Sequence, residues 1–518
     1  MCGIFYYKGL GLKTSEIETW FMRTQHRGPD NSKQLQIDDR FFGFHRLRIV
    51  GLSEAGDQPF RMGNCVLVCN GEIYNHKELA AEHGFPITTG SDCEVIVHMY
   101  KKFGPEFSHM LTGVFAFVLY DEDKQKVMVS RDPLGIRALY WVPGKSGDDD
   151  EQVITSEMKS IPSHLKAVQF PPGHFYFDGE IKKHWVHDYK LNLNCDEATA
   201  IADIRDLLMK EVDLRLMSDR KIGCILSGGL DSTLVSAIVA KKVPNLHTYT
   251  IGLPGATDLH YARMASKHLG TIHHEKIVTE QEFMSAIPET IYQVESWDTT
   301  TIRASVGNYL VAKFIRTCNN GDVVIYCGDV ADEILGSYRG FTKAPNAEEF
   351  QKENVKMLEN IQYFDVLRSD KSISGAGLEA RVPFGGKHFV DYIMTMNPQF
   401  KAFDKDRIEK YVLRQAFKDM LPEELIWRRK EAFSDGVSTI ERSWFEIIQE
   451  HTEKLYTDEE FATRARKFKY ATPYDKESLW YREIFEKFYP GRAESIPYYW
   501  KHPFTTEQDP SARKLDCY

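Results

Sequence analysis

The stretch Ile222-Gly223-Cys224-Ile225-Leu226-Ser227-Gly228-Gly229-Leu230-Asp231-Ser232 decides the fold of the larger part of the chain. Ile222 to Leu226 is a short, continuous apolar run of the kind buried on both faces of a sheet, and Leu234, Val235, Ile238 and Val239 recur beyond it at helical spacing. The order is therefore strand, glycine turn, helix. Thr248-Tyr249-Thr250-Ile251 and Val323-Val324-Ile325-Tyr326 are further strand candidates separated by helical stretches, an alternation that predicts a parallel α/β sheet. Upstream, Ile201, Ile204, Leu207, Leu208 and Val212 form one helical stripe, and beyond about Asn346 the chain reads mostly helical.

The first ~190 residues have a different texture. Val66-Leu67-Val68, Phe115 to Tyr120 and Val127-Met128-Val129 are apolar or alternating, rich in β-branched and aromatic residues, and bounded by Gly, Asn and Asp, so this part is sheet-based. Cys65 and Cys69 fall in a strand-like run and read as packing residues. Gly144 to Glu151, polar and acidic, reads as a hairpin loop inside this part, and the domain boundary is placed between Lys190 and Glu197.

At 518 residues the chain exceeds what one hydrophobic core serves. Its 42% hydrophobic and 27% charged residues are those of a globular protein. A net charge of -10 and a pI near 6.0 argue against a general nucleic-acid surface. No apolar run reaches the roughly 20 residues of a spanning helix, and Met1 to Lys8 lacks the features of a secretory signal, so a cytoplasmic, non-membrane protein is expected. The nine cysteines are scattered without Cys-x-x-Cys spacing, which speaks against a disulfide framework or a zinc site.

Cys2 is the first chemical candidate. If Met1 is removed, Cys2 carries a thiol and a free α-amine whose ordinary pKa of about 7.7 to 8.0 lets it take the thiol proton. Cys2-Gly3-Ile4, His26-Arg27-Gly28-Pro29-Asp30, His45-Arg46-Leu47, Asn70-Gly71-Glu72-Ile73-Tyr74-Asn75 and Gly90-Ser91-Asp92 together resemble the class II, N-terminal-nucleophile glutamine amidotransferases. The resemblance implies that Arg46 binds the glutamine carboxylate, Glu72 and Asp92 its amino group, and Asn70 with the Gly71 amide the oxyanion. Singly these residues have plainer readings: Asn70-Gly71 a turn, Arg46 a surface charge, Asp92 a helix cap.

Ser227 to Ser232 is the second. Two glycines, a helix N-terminus and two serines suit a pyrophosphate, and the loop lacks the Gly-Lys-Ser/Thr ending of kinase-like nucleotide loops. It resembles the pyrophosphate loop of ATP pyrophosphatases. The family joining that loop to a class II amidotransferase is the glutamine-hydrolysing asparagine synthetases. The resemblance continues through Trp297 to Arg303, Gly377 to Phe384, Trp427 to Gly436 and Asp509-Pro510-Ser511-Ala512-Arg513.

It implies an α/β protein of two domains. Residues 2–190 form an N-terminal-nucleophile α-β-β-α sandwich, and residues 191–518 an ATP-pyrophosphatase-like parallel α/β domain with a helical C-terminal part. It further implies ATP bound by Leu226, Ser227, Gly228, Gly229, Asp231, Ser232, Ile251, Cys327 and Gly328, and Mg²⁺ held by Asp231 and Asp332. Lys430 lies near the α-phosphate, aspartate is bound by Thr300, Thr301 and Arg303, and Asp329 stands beside the reaction centre. Glutamine, aspartate and ATP are then the small-molecule partners, with no nucleic acid or membrane and with room for a homodimer. By the resemblance Glu379 to Phe384 is a segment of the interface between the two halves, and a helix end packed in the core is an equal reading of it.

Two departures from the family pattern stand out. Cys327-Gly328-Asp329-Val330-Ala331-Asp332-Glu333 replaces Ser-Gly-Glu-Gly-Ser/Ala-Asp-Glu, and Gly385-Gly386 replaces Leu-Asp. Asp329 for Glu predicts a slower synthetase. Val330 for Gly predicts a backbone adjustment, because a β-branched residue is disfavoured at positive φ. Two rival readings are a cyclising ligase resembling β-lactam synthetases, which lack the nucleophile that Cys2 supplies, and a ligand-binding regulatory protein.

Overall fold

The computed structural model describes residues 1–9, 13–143, 151–186 and 188–511. The expected hairpin loop at Gly144 to Glu151 lies, apart from Glu151, outside the described residues, as do Ala512 and Arg513. The chain divides into two compact units, one of Met1–His187 with Met217–Lys221 and Ile373–Glu379, the other of Asp188–Leu216, Ile222–Ser372 and Ala380–Tyr518.

The first unit is built on β1 (Gly3–Lys8), β2 (Asn31–Ile37), β3 (Arg40–Arg46), β4 (Phe60–Met62), β5 (Cys65–Ile73), β6 (Gly113–Asp121), β7 (Lys126–Arg131), β8 (Tyr140–Val142), β9 (Gln152–Thr155), β10 (Val168–Gln169), β11 (His174–Phe177) and β12 (Glu180–Lys183). They form two six-stranded sheets, ordered β10-β8-β9-β1-β3-β2 and β12-β11-β7-β6-β5-β4, with antiparallel pairing. The period of two explains the layering. On β6, Ala116, Val118 and Tyr120 join Ile4, Tyr6, Phe42 and Phe44 in a core between the sheets. Phe115, Phe117 and Leu119 point the other way and pack with residues of α2 (His76–His83) and α3 (Val95–Phe103), the second and third helices after α1 (Thr14–Met22). The outer face of the other sheet carries Phe5 and Phe41, whose rings meet Phe21 of α1. The result is helix, sheet, sheet, helix. Cys65 and Cys69 are packing residues in the helix-side core, as read from their spacing.

The second unit opens with α4 (Glu197–Leu214), where Ile204, Leu208 and Val212 of the expected stripe are fully buried. Its sheet contains β13 (Lys221–Ile225), β14 (His247–Gly252), β15 (Ile272–Ile277), β16 (Asp322–Tyr326) and β17 (Glu379–Arg381) in the order β15-β14-β13-β16-β17. β13, β14 and β15 run parallel. Between them lie α5 (Leu230–Ala240) and α6 (Thr257–Leu269), followed by α7 (Glu280–Val294), α8 (Thr299–Cys318) and α9 (Ala331–Leu335). The rest is mostly helical.

β15 and β17 differ from the sequence reading. β15 is an edge strand reading Ile-His-His-Glu-Lys-Ile, half-buried along its middle and exposed at both ends, so it has no apolar period to betray it. Glu379 to Phe384, expected as an interface segment or a helix end, is not helical but the three-residue strand β17 followed by a 3-10 turn at Pro383–Gly385. Its pairing comes from across the chain rather than from its own pattern.

One buried charge in the helical part carries a pH dependence. Lys401 is 2% exposed, and its Nζ donates to Gln351 Oε1 at 3.1 Å and Asn354 Oδ1 at 2.6 Å, two neutral acceptors. Burial lowers its pKa from 10.5 to about 7. Above pH 7 the folded form sheds this proton while the unfolded chain keeps it until near 10.5, so stability rises with pH across that window. Below pH 7 both states are charged and the burial cost is borne in full. Lys401→Met should raise the denaturation midpoint at pH 6 and flatten the rise between pH 7 and 9. Parallel stability curves for wild type and variant would show that Lys401 does not titrate in this range.

Candidate functional site

Within the first unit, the chain start and the end of β3 bring the nucleophile candidate to backbone donors. The Leu47 amide donates to Cys2 Sγ at 3.4 Å, and Arg27 Nε donates to the Cys2 carbonyl at 2.9 Å while its NH1 pairs with Glu157 at 2.6 Å. Burial pushes the Cys2 thiol up to about 11, and burial lowers the Met1 amine to about 6. Burial disfavours the charged form of both groups, so the Met1 amine is neutral at pH 7 and the thiol keeps its proton.

Asn70 and Gly71 lie inside β5, paired opposite Ala116 and Phe115, rather than in a turn. Asn70 is 0% exposed, and neither Oδ1 nor Nδ2 has a hydrogen-bond partner among the described residues. A buried primary amide with both ends unmet costs on the order of 1–3 kcal/mol per group, which a bound ligand would recover. Glu72, two residues on, is 4% exposed. Asp92 Oδ2 accepts from the Ile73 amide at 2.7 Å, and it is Ser91, not Asp92, whose side chain caps the short helical turn there by accepting from the Cys93 amide. Arg46 is buried at 4% exposure. Its NH1 donates to Asp57 at 2.6 Å and Ser53 O at 2.8 Å, and its NH2 to Val50 O at 3.2 Å and to Gly51 O. Its fork therefore frames the loop that follows β3.

In the second unit, the loop after β13 takes the shape its glycines allow. Gly228 has φ +73°, and a Cβ there would stand 2.4 Å from the Tyr261 carbonyl carbon, so the loop lies directly on α6. Ser227 Oγ and Ser232 Oγ are 3.0 Å apart, and the Ser227 amide donates to Ser232 Oγ at 3.2 Å. Gly229 caps α5 without a side chain, leaving the helix N-terminus for an anion. Leu226 and Ile251 are buried on β13's exit and on β14, bound through Leu226 N to Tyr249 O at 2.8 Å. Cys327 and Gly328 leave β16 against the same loop: a Cβ at Gly328 would meet Ser232 N at 2.7 Å.

This approach brings the two predicted metal carboxylates onto one ammonium. Lys410 Nζ contacts Asp231 Oδ2 and lies 2.5 Å from Asp332 Oδ1, and Lys430 Nζ lies 2.6 Å from the same Asp332 oxygen. Asp231 Oδ1 is buried with no hydrogen-bond partner. Lys410, absent from the sequence reading, is 3% exposed. Nothing in its local sequence marks it. The Lys430 ammonium also rests over the Tyr338 ring, 4.1 Å from its centroid.

α8 is capped by Asp298, which accepts from Thr301 N at 2.8 Å and Thr301 Oγ1 at 2.7 Å. Thr300 Oγ1 is buried without a partner. Arg303 makes four hydrogen bonds, to Glu477 at 2.8 and 2.6 Å and to Asp509 at 3.0 and 3.2 Å, out of the five N–H donors a guanidinium has. Thr300, Thr301 and Arg303 thus share one helix turn, but only Thr300 holds an unmet group.

Asp329 Oδ1 receives Arg368 NH2 at 3.0 Å, and Arg368 also pairs with Asp365, whose Oδ2 accepts from the Val330 amide at 3.0 Å. The backbone adjustment expected at Val330 does not occur. Val330 keeps φ +81°, ψ -23°, with its side chain 1% exposed. Packing and the Asp365 bond hold it in a conformation that costs on the order of 1–3 kcal/mol for a β-branched residue. Farther along, a Cβ at Gly386 would stand 2.0 Å from Cδ of Glu211, so glycine there makes room for a carboxylate that pairs with Arg215. Arg215 O in turn accepts from Arg381 of β17 at 2.5 Å.

Residues 1–194 match the family model described as glutamine amidotransferase domain, and residues 203–355 and 342–509 match that described as asparagine synthase. The glutamine-hydrolysing asparagine synthetase of Cricetulus griseus is 38% identical over 561 residues, covering 100% of this chain and 99% of the relative. Those of Gallus gallus and Homo sapiens are 38% identical over 562 and 559 residues, with the same coverage.

The strain at Val330 inverts an ordinary stability order. Alanine normally outranks glycine by reducing unfolded-chain entropy, but not where φ is positive. Val330→Gly should therefore be more stable than Val330→Ala by about 0.5–1 kcal/mol in chemical denaturation. Val330→Ala proving the more stable would show that residue 330 is not held at positive φ.

Proposed function

Because the chain belongs to the family of glutamine-hydrolysing asparagine synthetases, we infer that its residues divide one synthesis between an amide hydrolysis and a carboxylate activation. The enzyme converts ATP, L-aspartate, L-glutamine and water into AMP, diphosphate, L-asparagine and L-glutamate.

In the glutaminase half, Cys2 Sγ attacks the side-chain amide carbon of glutamine, ammonia leaves, and water hydrolyses the thioester to glutamate. The observation that carries this reading is the buried, unpartnered amide of Asn70, an oxyanion donor already desolvated and fixed in a strand. Loss of Met1 is required so that the Cys2 amine is free to take the thiol proton. Met1 is 1% exposed and its amine donates to Leu378 O at 3.2 Å, so its removal belongs to the time before this unit closes. Glu72 and Asp92 face the substrate amino group, Arg46 shapes the pocket wall and draws the substrate carboxylate, and the Gly71 amide completes the oxyanion site.

In the synthetase half, a side-chain oxygen of aspartate attacks the α-phosphorus of ATP and diphosphate leaves, giving β-aspartyl-AMP. Ammonia then displaces AMP. Ser227, Gly228, Gly229 and Ser232 cradle the departing diphosphate, with Leu226, Ile251, Cys327 and Gly328 forming the nucleotide wall. Lys430 stands at the α-phosphate and Lys410 joins it in neutralising charge. Asp231 and Asp332 would hold Mg²⁺: the unmet Asp231 Oδ1 is a hard donor of the type that ion takes, and two carboxylates plus phosphate oxygens suffice. Bound there, Mg²⁺ would neutralise phosphate charge. Thr300 receives aspartate directly, while Thr301 and Arg303 hold the helix turn that presents it. The same resemblance extends to domains of 2–190 and 191–518, a cytoplasmic location and a homodimer. No helix among the described residues is long and apolar enough to cross a membrane.

Cys2→Ala should abolish glutamine-dependent synthesis, by at least about a thousandfold, and leave ammonium-dependent synthesis near wild type. Loss of both activities in a folded variant would contradict the division of labour. Asp329 provides a second test. Since Val330 keeps a glycine-like backbone, no main-chain shift offsets the shorter side chain, and the coupled Val330→Gly change expected from sequence is not required. Asp329→Glu alone should speed aspartate-dependent diphosphate release several-fold, since misplacements of about 1 Å can cost on the order of a hundredfold. Asp329→Ala should slow it and spare the glutaminase; synthesis by Asp329→Ala at the wild-type rate would remove this carboxylate from the mechanism.

A further inference from the structure

Lys430 cannot aim itself. Its ammonium has one short ionic partner, Asp332, and otherwise lies on the face of Tyr338, so the position of that ring sets where the charge stands. Tyr338 follows α9, with its hydroxyl bonded to Glu333 at one edge. The rest of the ring is held from elsewhere. Trp500 meets it edge-on at 4.9 Å between centroids and 61°, His502 meets it at 6.1 Å and 66°, and these two rings pack on each other at 5.0 Å. Trp500 is 8% exposed and His502 4%, so the three rings are a packed block.

The backbone beneath them is pinned at several points. The Trp500 amide donates to Asp298 Oδ1 at 2.7 Å, the carboxylate that caps α8 at Thr301. His502 Nε2 lies 2.9 Å from Pro510 O, and a Cβ at Gly340 would stand 2.1 Å from Pro503 O. Asp509 grips Arg303, and Ser511 Oγ donates to Asp435 Oδ1 at 3.1 Å. Residues 498–511 therefore run from the cap of the aspartate-site helix, past the Lys430 ring, to the Lys430 loop's own following helix at Phe433–Gly436. The elements that carry Thr300 and Lys430 are tied by one strap.

We propose that residues 498–511 are a working part of the synthetase site, with Trp500 as the positioning residue that fixes the Tyr338 ring and through it the Lys430 ammonium. The proposal rests on the assignment of Lys430 to the ATP α-phosphate. Truncating Trp500 leaves a void against Tyr338 and lets the ring and its cation drift, while the main-chain bond to Asp298 persists. A cation misplaced by about 1 Å at a site of developing charge costs on the order of tenfold to a hundredfold in rate.

The test uses the full-length enzyme and four variants, reading aspartate-dependent diphosphate formation, glutaminase activity and thermal midpoint. Trp500→Ala should lower kcat ten- to a hundredfold with KM for aspartate changed less than about threefold, and with glutaminase activity intact. Trp500→Phe, which keeps an aromatic edge, should recover at least half of the wild-type kcat. Tyr338→Leu, which removes the platform and keeps the bulk, should reproduce the Trp500→Ala loss and stands in if that variant does not fold. Lys430→Met separates the two readings: near-wild-type synthesis there removes Lys430 from the site and the proposal with it. If Lys430→Met is inactive but Trp500→Ala and Tyr338→Leu keep wild-type kcat, the assignment of Lys430 stands and the strap has no positioning role. Equal losses in Trp500→Ala and Trp500→Phe that track the thermal midpoint would likewise overturn it.

Discussion

Two half-buried carboxylates sharing one lysine join the ends of β13 and β16 at the working edge of the synthetase half. Asp231 opens α5 and Asp332 opens α9, so without a cation between them the ends of β13 and β16 would carry like charges into a region of low dielectric, where repulsion at about 4 Å is worth a few kcal/mol. Lys410 enters from 179 residues beyond Asp231 and meets both. The balance is uneven. Burial raises Asp231's carboxyl and wins there, in spite of Lys410. At Asp332 burial acts the same way, but Lys410 and Lys430 together overcome it and hold that carboxyl far below the usual range. Asp332 is thus the more firmly held anion of the two.

The glutaminase half solves a different problem with the same economy of place. A strand normally satisfies its polar groups through the ladder, and a side-chain amide inside one is usually on the solvent face. β5 instead turns Asn70 into the buried side with nothing to bond, two residues before Glu72 and directly before Gly71. Rigidity comes from the sheet, and the unmet amide is the opening in it.

Sequence alone carried the chemistry that local motifs carry. The strand-turn-helix around Ser227 to Ser232, the buried strand Phe115 to Tyr120 and the stripe on α4 were legible because period and glycine placement are local properties. Lys410 was not, because a lysine before a short helix looks like any solvated charge until Asp231 and Asp332 are placed beside it. The ion-pair partners of Arg46 and Arg303 were not legible either: Asp57, Glu477 and Asp509 are fixed only by tertiary contacts. Val330 shows the limit of propensity, since a conformational preference of a few kcal/mol yields to packing and one backbone bond.

The fit between Gly386 and Glu211 has a bearing on how such a chain can change over generations. Any side chain at 386 meets the Glu211 carboxyl, and loss of Glu211 removes the short ion pair it makes with the buried Arg215. A side chain at 386 and the Glu211 carboxylate cannot both keep these positions, so a substitution at one of the two is felt at the other.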